Sequence, residues 1–169
     1  MNPQRNPQLA LRLDTATPDP ADIWHEGTTI AFLGGKVRLT LDTVGKEAVL
    51  EGETLHLPLP PQATPRQIRD RAEAWLRESA KRWLTEIIEQ KSALAGRRSP
   101  QLSLSFAAHG HWVDIRSTDV LRCNWRLIEQ PMAVIDQIIA RAIAALPRHS
   151  EFAHEDDLFG AHTNAAFAA

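Results

Sequence analysis

The chain has 169 residues, with 19 Lys or Arg against 21 Asp or Glu and a formal net charge of −2. This length suffices for one domain with a substantial core, and the nearly balanced charge makes nucleic-acid binding an unlikely function. A single cysteine, Cys123, excludes a disulfide framework and is typical of a reducing compartment, so we expect a cytoplasmic protein. No stretch approaches the roughly 20 apolar residues of a membrane span, so we expect no membrane association.

Composition divides the chain into three parts. Residues 1–22 are rich in proline and polar residues and lack an apolar run, which predicts a flexible N-terminal segment. Residues 23–152 carry the periodic apolar patterns of one folded domain. Residues 153–169 are first acidic and then rich in alanine, which predicts a flexible C-terminal tail.

Two β-hairpins are predicted in the first third of the chain. Apolar runs flank two turn signals, Gly34-Gly35 and Gly52-Glu53, and the run that follows Gly34-Gly35 alternates apolar and polar residues. Together the hairpins predict a small antiparallel meander over residues 28–59.

A long helix is predicted after a proline-rich linker. Thr64 is a typical N-cap, Pro65 suits the first helical position and Gln67 can complete a capping box. Apolar residues then recur at helical spacing until Gly96, a residue type that often follows a helix C-terminus. The basic and acidic side chains that alternate along this helix predict a solvated face with i,i+4 ion pairs. The alternative is that the arginines bind phosphate.

The last part of the domain is predicted to hold a second small sheet and a core helix. Strands are expected at residues 102–106, 111–113 and 121–127. The helix is expected to start near Pro131 and to end at Pro147, because proline is tolerated in the first turn and not beyond it. Its apolar face comprises residues 135, 138, 139, 142, 143 and 146. The predicted fold class is therefore α+β.

From Trp112 onward the sequence resembles the YgjP-type zinc metallopeptidases, which are related to the SprT-like group. The most specific part of the resemblance is the run Asn124-Trp125-Arg126-Leu127-Ile128. Further positions in register are Pro131, Val134, Ile135, Asp136, Leu146 and the pair His149-Ser150. With the element order and the segment Ala74-Trp75-Leu76, the resemblance extends over residues 25–152, and it implies that the core helix is equivalent to the zinc-carrying helix of the family.

The resemblance also implies where zinc would be held, and three of these positions are substituted. The family helix carries His-Glu-x-x-His, in which both histidines bind zinc and the glutamate is the general base. These positions are Arg141, Ala142 and Ala145 here, and only the third ligand, His149, is retained. Alanine has no metal-binding atom and arginine is a fixed cation that repels a metal ion. We therefore expect a degenerate site with no catalytic residue and no zinc cofactor.

Two outcomes are open for the substituted site. Arg141 would require a carboxylate partner if it were buried, with Asp114 and Asp119 as candidates, and otherwise it should point into solvent. The small side chains of Ala142 and Ala145 leave space that either collapses or forms a small groove.

Two other groups of histidines are candidate metal sites, because imidazole and carboxylate are common ligands. One joins His149, His154 and His162 with acidic residues 155–157. The other joins His109 and His111, two residues apart in a turn, with His149.

Two classes of function remain. The first is a catalytically inactive pseudoenzyme that binds or scaffolds another protein or peptide, by strand addition in the former substrate cleft. The groove residues expected for it are Trp112, Asp114, Asn124, Arg126 and Arg141. The second is a hydrolase with a non-standard, metal-free site, for which the acid–base candidates are Asp114, Asp119, His111 and His149. The oligomeric state is left open.

Overall fold

In the computed structural model, which describes residues 24–146, one long helix contacts both of two small β-sheets and the second helix. The strands are β1 (Thr29–Phe32), β2 (Gly35–Leu41), β3 (Val49–Glu51), β4 (Thr54–Leu57), β5 (Gln101–Ser105), β6 (Val113–Ser117) and β7 (Val120–Asn124). The helices are α1 (Pro65–Leu94) and α2 (Met132–Ala145), with a 3₁₀ helix (Trp125–Glu129) before α2. The predicted α+β class is confirmed. The segments predicted to be flexible, residues 1–22 and 153–169, lie outside the described residues.

The first sheet has the strand order β1-β2-β4-β3, and the predicted antiparallel meander is wrong at its centre. Both predicted hairpins form, but they are joined by parallel pairing of β2 with β4. The reason is burial: Leu55 and Leu57 of β4 are fully buried beside β2, whereas Val49 of β3 is 49% exposed. The more apolar strand of the second hairpin therefore takes the central position, and β3 forms the edge.

The first hairpin turns one residue earlier than predicted. Phe32 pairs with Gly35, so the two turn residues are Leu33 and Gly34, with φ angles of 49° and 79°. Two positive φ values are typical of a type I′ hairpin turn. The Leu33 N–H donates to the carbonyl oxygen of Ile128 at 2.8 Å, so this turn is fastened to the 3₁₀ helix.

Helix α1 begins and ends as predicted. Thr64 and Gln67 form the complete capping box, and Gly96 has a φ of 62° just after the C-cap residue. Lys91 of α1 and Arg97, which follows the helix, then make polar contacts with α2 and its C-cap. Lys91 lies 3.2 Å from the Asp136 carboxylate, and Arg97 donates to the carbonyl oxygens at the C-terminal end of α2. The orientation of α2 is thus held from the C-terminal part of α1.

The second sheet has the order β5-β7-β6, so β6 is an edge strand. Strand β7 ends at Asn124 and does not continue to residue 127 as predicted. Asn124 is buried; its side chain accepts from the Arg126 N–H at 3.0 Å and donates to the Ala107 carbonyl at 2.9 Å. These bonds provide partners for backbone polar groups where the chain turns from strand to 3₁₀ helix.

The apolar face predicted for α2 is confirmed. Ile135, Ile139, Ile143 and Leu146 are buried, and the helix ends before Pro147 as expected. No helix within residues 24–146 has the length and apolar character that crossing a bilayer requires.

The only cysteine, Cys123, is fully buried in β7, and burial together with the Asp114 carboxylate raises the pKa of its thiol from 9.0 to about 12. Since the thiolate is the reactive form, we expect iodoacetamide at pH 8 to label the folded chain at least about 100-fold more slowly than the urea-unfolded chain, by mass spectrometry. The folded state holds this proton more tightly than the unfolded state. Its contribution to stability is therefore complete below about pH 8.5 and declines as the pH rises toward 12. Equal labelling rates would contradict this assignment.

Candidate binding groove

A groove of about 200 Å³ lies between β6 and α2. The residues that line it from the sheet side are His111, Trp112, Val113 and Ile115, and those from the helix side are Ile138, Arg141 and Ala142. Strand alternation places Val113 and Ile115 on one face of β6. Helical spacing places Ile138, Arg141 and Ala142 on one face of α2. The groove thus follows directly from the packing of the edge strand on the last helix.

The groove has apolar walls and a positively charged rim. Trp112, Val113, Ile138 and Ala142 are partly buried and pack against the core. Arg141 is exposed at the rim, and none of the described lining residues is acidic. Such a surface favours a ligand with a large apolar group next to a negative charge.

Arg141 and Ala142, two of the positions that the resemblance assigns to the metal site, both line this groove. Arg141 points into solvent, which is the second of its two expected arrangements, and the space beside Ala142 is an open groove. Ala145 is exposed one turn further along α2 and lies outside the lining. His149 lies outside the described residues.

The five predicted groove residues divide between the groove and structural roles. Trp112 and Arg141 line the groove, whereas Asp114, Asn124 and Arg126 do not. Arg126 instead binds Glu129 at 3.0 Å. Together with Asn124, it belongs to the turn that leads from β7 into the 3₁₀ helix.

Glu129 lies in a second cluster of charges near the first hairpin. Burial raises the pKa of its carboxyl group, and Arg126 opposes this effect. Arg77, which binds Glu73 at 2.8 Å, also contacts the face of Trp125 at 5.3 Å. The charges in this cluster are paired, so we assign it a role in packing.

Three groove residues were missed by the sequence reasoning, namely Val113, Ile115 and Ile138. A signal existed for Ile115, because it is an apolar residue between Asp114 and Arg116 on a strand. It is 40% exposed, which is unusual enough for a large apolar side chain to suggest a contact surface. Ile138 belongs to the predicted apolar face of α2, and its partial exposure could not be seen without the neighbouring strand.

The sequence matches the family model described as "YgjP-like, metallopeptidase domain" over residues 8–140, well over half of the chain. The chain belongs to the YgjP-like metallopeptidase family. The match ends one residue before Arg141. No curated protein and no solved structure matches this YgjP-like chain.

The metal that the YgjP-like family implies does not fit the residues of α2. Arg141, Ala142 and Ala145 offer no atom that coordinates zinc. Over the described range 24–146, no three His, Cys, Asp or Glu side chains are grouped so that they could hold a metal ion. His109 and His111 lie in the loop before β6, and the candidate ligands His154 and His162 lie outside that range.

The candidate residues for metal-free acid–base chemistry do not lie together in the described part of the chain. His111 precedes β6, whereas Asp119 lies in the turn after it. Asp114 pairs across the sheet with Arg122 and does not line the groove with His111. The arrangement thus supports binding of a ligand better than acid–base chemistry on it.

Proposed function

We propose that this chain is a catalytically inactive YgjP-like protein that binds an extended segment of another protein or a peptide in the groove between β6 and α2. It would act as a binding or scaffolding module in the cytoplasm, without zinc. The observation that carries the proposal is an open apolar groove lined by Arg141 and Ala142, the positions to which the resemblance assigns a zinc ligand and the general base.

The side chains at the positions that the resemblance assigns to the metal site support a chain without peptidase chemistry. A metallopeptidase needs ligands that hold the metal and a base that takes a proton from water. Alanine at 142 and 145 can do neither, and the Arg141 guanidinium offers N–H donors but no atom that binds zinc. These substitutions support binding without turnover.

The outer edge of β6 supplies the surface that would bind the segment. Among the described strands, β6 pairs only with β7, so its outer edge can accept a further strand. Val113 and Ile115 of β6 present alternate side chains to the groove, which would give such a strand its specificity. No specific observation favours a hydrolase with a non-standard site.

The test is selection of displayed random nine-residue peptides on the full chain, followed by measurement of Kd for the enriched peptides. Ile115→Glu is expected to weaken binding at least about 10-fold, because it places a charge in the apolar contact. The matched control is Val44→Glu, which changes an apolar residue that is 91% exposed and outside the groove lining.

Equal weakening by both variants would contradict the groove as the binding site. Cleavage of casein that depends on zinc and is abolished by a chelator would contradict the absence of catalysis.

A further inference from the structure

We propose that residues 151–159 of the same chain occupy the groove and compete with other ligands. This inference rests on the proposed function, since it assigns a built-in occupant to the same groove. The segment reads Glu-Phe-Ala-His-Glu-Asp-Asp-Leu-Phe and lies outside the described residues.

The size of the groove favours a peptide side chain as occupant. Its volume of about 200 Å³ is smaller than the roughly 300–1,000 Å³ of pockets for small molecules. Its apolar walls suit one large apolar side chain, and the segment offers Phe152, Leu158 and Phe159. One of these inserted beside Ile138 would cover the exposed apolar surface.

The charges of the groove and the segment are complementary. Arg141 lies at the rim, and the described lining contains no carboxylate that would repel an acidic ligand. The segment carries Glu151, Glu155, Asp156 and Asp157. A carboxylate of the segment can therefore pair with Arg141, which prefers a planar two-oxygen partner.

The connection is short enough for this contact. Arg141 and Leu146 lie on the same helix end, roughly 7–8 Å apart along the axis at 1.5 Å per residue. The four residues 147–150 span at most about 14 Å when extended, so the segment can return to the groove. A short tether gives an effective concentration in the millimolar range, which allows a weak ligand to compete strongly.

The experiment uses a fluorescent synthetic peptide with the sequence of residues 151–159 as the probe and the full-length chain as its binding partner. The variant Glu155→Gln, Asp156→Asn, Asp157→Asn weakens the binding of the chain's own segment to the groove. The probe should therefore bind this variant about 10-fold more tightly than the parent chain. Adding Arg141→Gln should remove this difference. The matched control, with the same change in net charge, is Glu78→Gln, Glu86→Gln, Glu89→Gln on the exposed face of α1.

The outcomes separate this inference from the proposed function. Equal affinities of the parent and the tail variant, or an equal gain in the α1 control, would overturn self-occupation. Selection of displayed peptides that depends on Ile115 would still support the groove as a binding site in that case. Failure of the probe to bind any variant would overturn the choice of residues 151–159.

Discussion

The full-length variant Arg141→His, Ala142→Glu, Ala145→His is expected to bind one zinc ion per chain, and the parent chain none. Both histidines would lie on α2, which is continuous through Ala145, and a spacing of four residues places them on the same face. The change also removes the cation at 141. The resemblance assigns the third ligand to His149. We expect affinity for zinc to rise at least about 1,000-fold, or roughly 4 kcal/mol.

Metal content after dialysis and titration calorimetry provide the measurement. The control is Ala133→His with Gln137→His, which places the same histidine spacing on exposed positions of α2 without a third ligand. It should bind zinc far more weakly than the triple variant. Adding His149→Ala to the triple variant should reduce affinity at least about 10-fold. Stoichiometric zinc in the parent chain would overturn the proposed loss of the metal site.

Gly34→Ala is expected to lower the free energy of unfolding by about 2–4 kcal/mol, the largest effect we expect from a single methyl group in this chain. Gly34 has a φ of 79°, where a side chain is strained, and an added Cβ would lie 2.7 Å from the Cα of Pro131. The turn would have to move away from the start of α2. Such a movement would strain the bond between Leu33 and Ile128.

The matched control for Gly34 is Gly52→Ala. Gly52 also has a positive φ, of 59°, but nothing lies within 4 Å of an added Cβ. Its loss should be about 1 kcal/mol, the conformational part alone. Urea denaturation of both variants measures the difference between their losses in free energy of unfolding. This difference is the cost of the contact with Pro131. Equal losses would show that this contact contributes nothing.

Local signals explain which parts of the fold could be predicted. The capping box of Thr64 and Gln67 acts within one helical turn, so the start of α1 is readable from four residues. The parallel pairing of β2 with β4 is different, because it depends on which strand of the second hairpin buries more surface. Both strands of that hairpin carry apolar residues, and only the packed structure shows that Leu55 and Leu57 of β4 take the central position.

Some residues of the candidate site could be predicted from the sequence, and others could not. The resemblance to the family directed attention to Arg141 and Ala142, and both line the groove. Asn124 and Arg126 were also predicted to line the groove, but the chain turns at Asn124, and both side chains bind within that turn. Ile115 was not predicted as a groove residue, because one face of β6 lines a groove only when α2, a later part of the chain, packs beside it.

The fastening of the first hairpin to the 3₁₀ helix has a consequence for synthesis of the protein. Leu33 meets Ile128, so one of the earliest turns of the domain waits for a partner translated near its end. Until Ile128 has left the ribosome, the first hairpin can form but cannot make this bond, and the apolar side chains that it buries in the domain stay exposed. Docking of the first hairpin therefore depends on closing a long loop, which adds an entropic cost to folding.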